Sequence, residues 1–226
     1  MKDIILDKEK LGIRSDEIDV RKDGTLLQAT VIDLKEIIRE KNLKGLSAPQ
    51  IGVPIRVFCI NFGETVKTFV NPTITKATGL ILSREKCSCQ PDREFIRPRN
   101  PEIEVIYQTP LGKIESKKLV GMAACVFQHQ LDHLDGLLLS DVGMEIFDDY
   151  DKATEDERAE LIKTYLDSLD IKQKELEKEV DEDETLSKTR DAIKFLEKVQ
   201  KGEVTLYNGL NENNADTNKV KKKRNR

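Results

Sequence analysis

The chain contains only two histidines, His129 and His133, and they stand four residues apart at the end of the apolar run Val120 to Phe127. A run that is apolar all round reads as a buried helix, and the helical period turns both imidazoles onto one face. Two imidazoles on adjacent turns can meet one divalent ion. In the common H-E-x-x-H arrangement, the residue after the first histidine is a glutamate that acts as general base. Here it is Gln130, so the ligand geometry is kept and the titratable oxygen is replaced by an amide. A further donor is needed, and Glu85 to Pro91 offers Cys87 and Cys89, which point to the same side of an extended segment. One thiolate with two imidazoles suits zinc, ferrous iron, cobalt or nickel. It also leaves a fourth position open, as a catalytic rather than a structural site requires.

These side chains need elements to hold them. Gly45 to Gly52 is a stretch of small residues around a proline, in which Gln50 can present an amide to a ligand while the glycines allow close backbone approach. Before it, Leu27, Val31, Leu34, Ile37 and Ile38 follow helical spacing over 26–41. After it, Ile55 to Ile60 is strand-like, and Phe69 to Ile74 reads as a strand ending in a turn at Asn71-Pro72. Farther on, Thr154 to Glu157 is a capping-box signature, and the stripe Leu161, Ile162, Tyr165, Leu166 and Leu169 predicts a helix over 155–170 packing back on the core. Residues 171–185 are mostly charged; Leu186, Ile193, Leu196 and Val199 mark a second, weakly amphipathic helix stopping near Gly202. The Asn- and Lys-rich end, finishing in Lys221-Lys222-Lys223-Arg224, reads as a solvated, disordered tail, with a ribosomal RNA contact as the sharper alternative.

Composition bounds the partners. With 35% charged residues, no Trp and a formal net charge of −4, the chain lacks the global basic excess of a nucleic-acid binder. No segment approaches the apolar length that spans a bilayer, and the N-terminus lacks the apolar stretch of a signal peptide, so a cytoplasmic protein without membrane partners is expected. Four cysteines at this length do not make a disulfide scaffold.

Three segments together resemble the signature motifs of the peptide deformylases. Gly45-Leu46-Ser47-Ala48-Pro49-Gln50-Ile51-Gly52 is similar to G-L-A-A-P-Q-x-G, Glu85 to Pro91 fits E-G-C-L-S-x-P loosely, and Gln128 to Gly136 fits Q-H-E-x-D-H-x-x-G. Asn71-Pro72, Arg97 and the alternation Ile103, Val105, Tyr107 resemble the family's strands, so the likeness covers residues 4 to 139.

The resemblance implies that Cys87, His129 and His133 hold a divalent ion, expected to be iron, which activates water against the formyl group of N-formylmethionyl peptides. It also makes Gln50 and the backbone N–H of Ser88 the oxyanion donors and brings Gly45, Leu46 and Arg97 to the substrate. Gln130 stands where the family's glutamate shuttles a proton, a role that a neutral amide cannot fill. A catalytically impaired protein that binds metal and peptide without turnover is therefore the alternative to a working hydrolase. Lys86, Ser88 and Cys89 also depart from the motif, and Lys86 adds positive charge near the ion. Glu85 or Asp132 is expected to hold a ligand from outside. The implied architecture is an α+β metallohydrolase fold, with antiparallel sheets around the histidine helix. A deformylase-like domain over 1–170 and a charged helical extension with a basic tail over 171–226 are expected, in a monomer.

Overall fold

In the computed structural model, which describes residues 3–147, 149–177 and 206–207, a short helix α1 (Lys8–Leu11) precedes the long α2 (Gly24–Glu40). Strand β1 (Gly45–Ser47), a 3₁₀ turn over Ala48–Ile51 and strand β2 (Val57–Asn61) follow. Then come β3 (Val66–Thr78), β4 (Ile81–Cys87), β5 (Gln90–Arg99), β6 (Glu102–Gln108) and β7 (Ile114–Val120), leading into helix α3 (Met122–Leu134). Helix α4 (Leu139–Val142), β8 (Met144–Ile146), α5 (Glu155–Glu177) and β9 (Leu206–Tyr207) complete the order. One sheet runs β1-β2-β3-β6-β7 and is antiparallel throughout. The other runs β8-β5-β4-β9, with only β9 parallel to its neighbour.

The apolar run in β2 has no polar alternate because both faces of the strand are covered. Val57 and Cys59 pack with Leu27, Leu34 and Ile38 of α2, while Phe58 and Ile60 pack with Phe69, Val105 and Phe127 on the opposite face. Phe127 meets Phe58 and Phe69 edge-on, at interplanar angles of 83° and 89°, the arrangement that aromatic quadrupoles favour. Burying such side chains contributes about 1.5–3 kcal/mol each, and this layer fixes α3 against the first sheet. In the second sheet, Leu82 and Ile96 pack with Tyr165 and Leu166 of α5. Glu85 and Arg99 look the other way, toward α3. Helix α3 is thus held between the two sheets.

Two expectations from the sequence change. The strand over Phe69 to Ile74 does not stop at Asn71-Pro72; β3 continues to Thr78, and the register shifts between Val70 and Thr73. Asn71 takes φ 46° there, and its side chain binds the N–H and C=O of Ile18 at 3.1 and 2.9 Å. A turn signal has become a bulge that ties the N-terminal segment to the sheet. The C-terminal helix starts as the capping box predicts, with Thr154 and Glu157 bonded to each other's backbone N–H. It continues through good helix formers to Glu177, so the boundary expected between 170 and 171 falls inside a helix. The helix predicted near 186–199 and the basic tail lie outside the described residues. No described helix is long and apolar enough to cross a membrane.

Candidate metal centre

Helix α3 is locked in place by a side chain beside the histidines. Gln128 clamps the corner between β5 and β6: its Oε1 accepts from the N–H of Asn100 at 3.0 Å, and its Nε2 donates to that residue's C=O at 2.8 Å. Below the helix, Gly136 sits at φ 73°, where an added Cβ would come within 2.5 Å of the Gly12 oxygen. His129 and His133 then share one face, with ring centroids 5.0 Å apart.

Cys87 is the last residue of β4. The chain turns through Ser88 and Cys89 and returns as β5, with Cys87 paired to Gln90. Cys87 and Cys89 are both buried facing the site, but through a tight turn and not through the extended segment expected. Cys87 Sγ lies 3.2 Å from His133 Nε2. Ligands of one tetrahedral zinc, at about 2.0–2.3 Å from the ion, are separated by roughly 3.5 Å, so this pair is already at bridging distance.

His129 is oriented from outside, as expected of Glu85. The fully buried Glu85 accepts from His129 Nδ1 at 2.9 Å and from Arg99 Nε and Nη2 at 2.7 and 2.9 Å. Burial would raise the Glu85 pKa, but the Arg99 charge, its hydrogen bonds and His129 outweigh it and hold the carboxyl well below the usual range. Burial likewise disfavours the charged form of His129, yet the Cys87 sulfur and Glu85 push its pKa up to about 10. Asp132 does not touch a histidine. It pairs with Arg99 Nη1 at 2.7 Å and with Arg97 Nε at 3.2 Å, ending a chain of alternating charge that starts at His129.

Gln50 comes from the 3₁₀ turn after β1. Its Oε1 accepts from the backbone N–H and the hydroxyl of Ser47, at 2.8 and 2.9 Å. The amide nitrogen is thereby aimed inward, 3.1 Å from Cys89 Sγ and 3.8 Å from Cys87 Sγ. A cavity of about 210 Å³ opens here, walled by Gly45, Gln50, Cys87, Ser88, His129 and Gln130. At Gly45 an added Cβ would press on Cys59 O and Val126 Cγ1 at 3.1 Å and on Gln130 Cγ at 3.2 Å. Gln130 is 4% exposed, and its Oε1 is buried without a partner.

Two of the expected substrate residues are elsewhere. Leu46 is fully buried in the layer under α2. Arg97 pairs with Asp132 and donates to the Val142 carbonyl at 2.8 Å, and Arg93 is the β5 arginine that reaches the cavity. The sequence also left Ser47 and Arg99 unmarked. A hydroxyl three residues before a functional amide was the available signal for Ser47; nothing local marks Arg99, whose contact with Glu85 depends on strand pairing.

The donor set fits a divalent ion. Cys87, Cys89 and His133 offer ligand atoms that all lie within 4.8 Å of one another. His129 stands outside that group of three and lines the cavity beside Cys87. Gln130 Oε1 is a buried polar atom without a partner in the protein, the sort of group that water bound at an ion explains.

The family model for polypeptide deformylase matches residues 1–146. Among curated relatives, the peptide deformylase of Dictyoglomus turgidum is 34% identical over 115 residues, which are 51% of this chain and 75% of that protein. That of Treponema pallidum is 36% identical over 118 residues, 51% and 72% of the two chains. Among solved structures, the Thermotoga maritima peptide deformylase superposes with a TM-score of 0.59 at 30% identity, covering 63% of this chain and 97% of its own. A probable peptide deformylase from Synechococcus phage S-SSM7 does so with a TM-score of 0.57 at 31% identity, over 63% and 98%.

Proposed function

The chain belongs to the polypeptide deformylase family, a metal-dependent hydrolase of deformylase type, and on that footing we propose that it removes the formyl group from N-formylmethionyl peptides at the cavity beside Cys87. The observation that supports this best is the convergence of Cys87, His129 and an orientationally fixed Gln50 amide on one cavity. Cys87, His129 and His133 would hold a divalent ion, with iron expected and zinc, nickel or cobalt suited to the same donors, and that ion would supply Lewis acidity toward a formyl oxygen and toward water.

The protein's own groups do the rest. With Gln50 Oε1 held by Ser47, only the N–H side of that amide is left to meet developing negative charge. The backbone N–H of Ser88 is the second donor, independent of its side chain. Strand β1 is an edge strand, so Gly45 offers free backbone groups to an extended peptide, the mode of recognition in which main-chain bonds give affinity. Glu85 holds Nδ1 of His129 and so leaves Nε2 for the ion. Gln130 lines the cavity, where its neutral amide can hydrogen-bond but transfers no proton near neutral pH.

The test is formate release from a formyl-Met peptide by metal-quantified protein beside its Gln130→Glu variant. Turnover by the wild type above a chelated control is expected, and the variant should gain on the order of 10²–10⁴ in rate if a positioned base is all that is missing. An active variant beside a silent wild type replaces turnover with metal and peptide binding; silence from both, each fully metallated, overturns the proposal.

A further inference from the structure

Cys89 has no part in the reading above, yet the site is built around it. It is 4% exposed. Its sulfur belongs, with Cys87 Sγ and a ring nitrogen of His133, to a group of donor atoms within 4.8 Å of one another. Neither Cys89 nor His133 lines the cavity, whereas Cys87 and His129 do. The first two therefore close the site on its protein side.

A buried cysteine is most often a small apolar side chain, and the other two cysteines fit that description. Cys59 sits in the layer under α2 against Thr68 Oγ1 at 3.4 Å, and Cys125 is buried in α3. Neither joins a group of metal-ligating side chains among the described residues. Cys89 differs in what faces it. Ser47 fixes the Gln50 amide by binding its oxygen twice, so the group 3.1 Å from Cys89 Sγ is an N–H donor. The sulfur is thus placed as an acceptor, the role of a metal-bound thiolate.

We propose that Cys89 is itself a ligand of the divalent ion, making the centre a two-thiolate one: Cys87, Cys89 and His133, with His129 as the donor on the cavity side. This rests on the metallohydrolase reading of the site. Two thiolates neutralise the charge of a divalent ion and shift the donor set toward the softer metals, zinc or cobalt, and away from hard cations. Four protein donors also mean that the reactive water and the substrate gain access to the ion only by expansion of the coordination shell, which zinc centres allow, or by release of one sulfur.

The test is cobalt(II) titration of the chelator-stripped full-length chain. Sulfur-to-cobalt charge-transfer absorption per bound ion is compared among the wild type, Cys89→Ser and Cys87→Ser. Each variant is expected to lose about half of the wild-type intensity, since the signal scales with the number of bound thiolates. Undiminished intensity in Cys89→Ser, with complete loss in Cys87→Ser, overturns the proposal and leaves a one-thiolate centre standing. Bound cobalt with no such band in the wild type overturns both the proposal and the reading it rests on. Serine is what the family motif carries at this position, and circular dichroism checks that the variant folds. X-ray absorption of the zinc-loaded wild type answers the same question without a variant: two sulfurs in the first shell support the proposal, and one overturns it.

Discussion

Replacing Glu85 by Gln should damage stability and metal affinity together, because one carboxylate serves both. In the wild type it accepts two bonds from Arg99 and one from His129, with no exposure to solvent, while Arg99 itself is 3% exposed. The amide keeps one acceptor oxygen, points an NH₂ at a group that is already a donor, and strips Arg99 of a full countercharge. Breaking a buried ion pair by removing one partner costs about 3–5 kcal/mol. Arg99 retains Asp132 at 2.7 Å, which places the expected loss near the lower figure, still a large share of the roughly 5–15 kcal/mol available to a folded domain. Loss of the group that holds a ligand's second nitrogen typically lowers metal affinity on the order of 10–100-fold. Urea unfolding of chelated protein reads the first quantity, and competition against a metal chelator reads the second. The pH profile supplies a sign. A carboxyl whose folded pKa is depressed contributes stability that is present above the unfolded value, about 4.3, and is lost as pH falls through the folded one. Wild type and variant should therefore differ most above that pH and converge in strong acid. A stability change under about 1 kcal/mol with unaltered metal affinity would refute the argument that Glu85 couples the ligand to the core.

Other perturbations separate groups that the sequence makes look alike. Burial pushes the thiols of Cys59 and Cys125 up to about 11, so alkylation of native protein at pH 8 followed by mass spectrometry should leave both unmodified, with Cys87 and Cys89 labelled faster after chelation than before. Ser47→Ala keeps the backbone bond to Gln50 Oε1 and loses only the hydroxyl bond of 2.9 Å. It should cost about 1 kcal/mol of stability and little kcat, whereas Gln50→Ala removes the oxyanion donor itself and should lower kcat on the order of 10²–10³. Gly136→Ala forces a side chain into a left-handed residue that already lies 2.5 Å from the Gly12 oxygen at its Cβ position; the backbone penalty alone is about 1–2 kcal/mol, and a thermal melt should show a loss of several degrees.

What the sequence made legible were features of short range. The histidine pair, the amphipathic stripe of α2 and the capping box at Thr154 all follow from a fixed period or a fixed local bond. Contacts set by strand pairing were not legible. Glu85 meets Arg99 because β4 and β5 pair with Glu85 opposite Phe95 and the side chains alternate from there, and no spacing in one dimension contains that register. The same limit separates Arg93 from Arg97: a register shift between Lys86 and Cys87 re-aims the start of β5, where Arg93 lines the cavity, while Arg97 pairs with Asp132. Leu46 shows a third kind of limit, since a residue between two functional neighbours can still belong wholly to the core. Cys87 and Cys89 do face one way, through a turn instead of a pleat.

The donors come from opposite sides of the molecule: Cys87 from the second sheet, and the histidines from a helix whose apolar face is packed on the first. An ion shared among them is mechanically a rivet between two layers. Ligand that binds only the assembled state adds RT ln(1 + [L]/Kd) to its stability, about 4 kcal/mol at a thousandfold excess over Kd. Loading with metal should then slow amide hydrogen exchange in β4, β5 and α3 as one unit, so that the two layers open together or not at all.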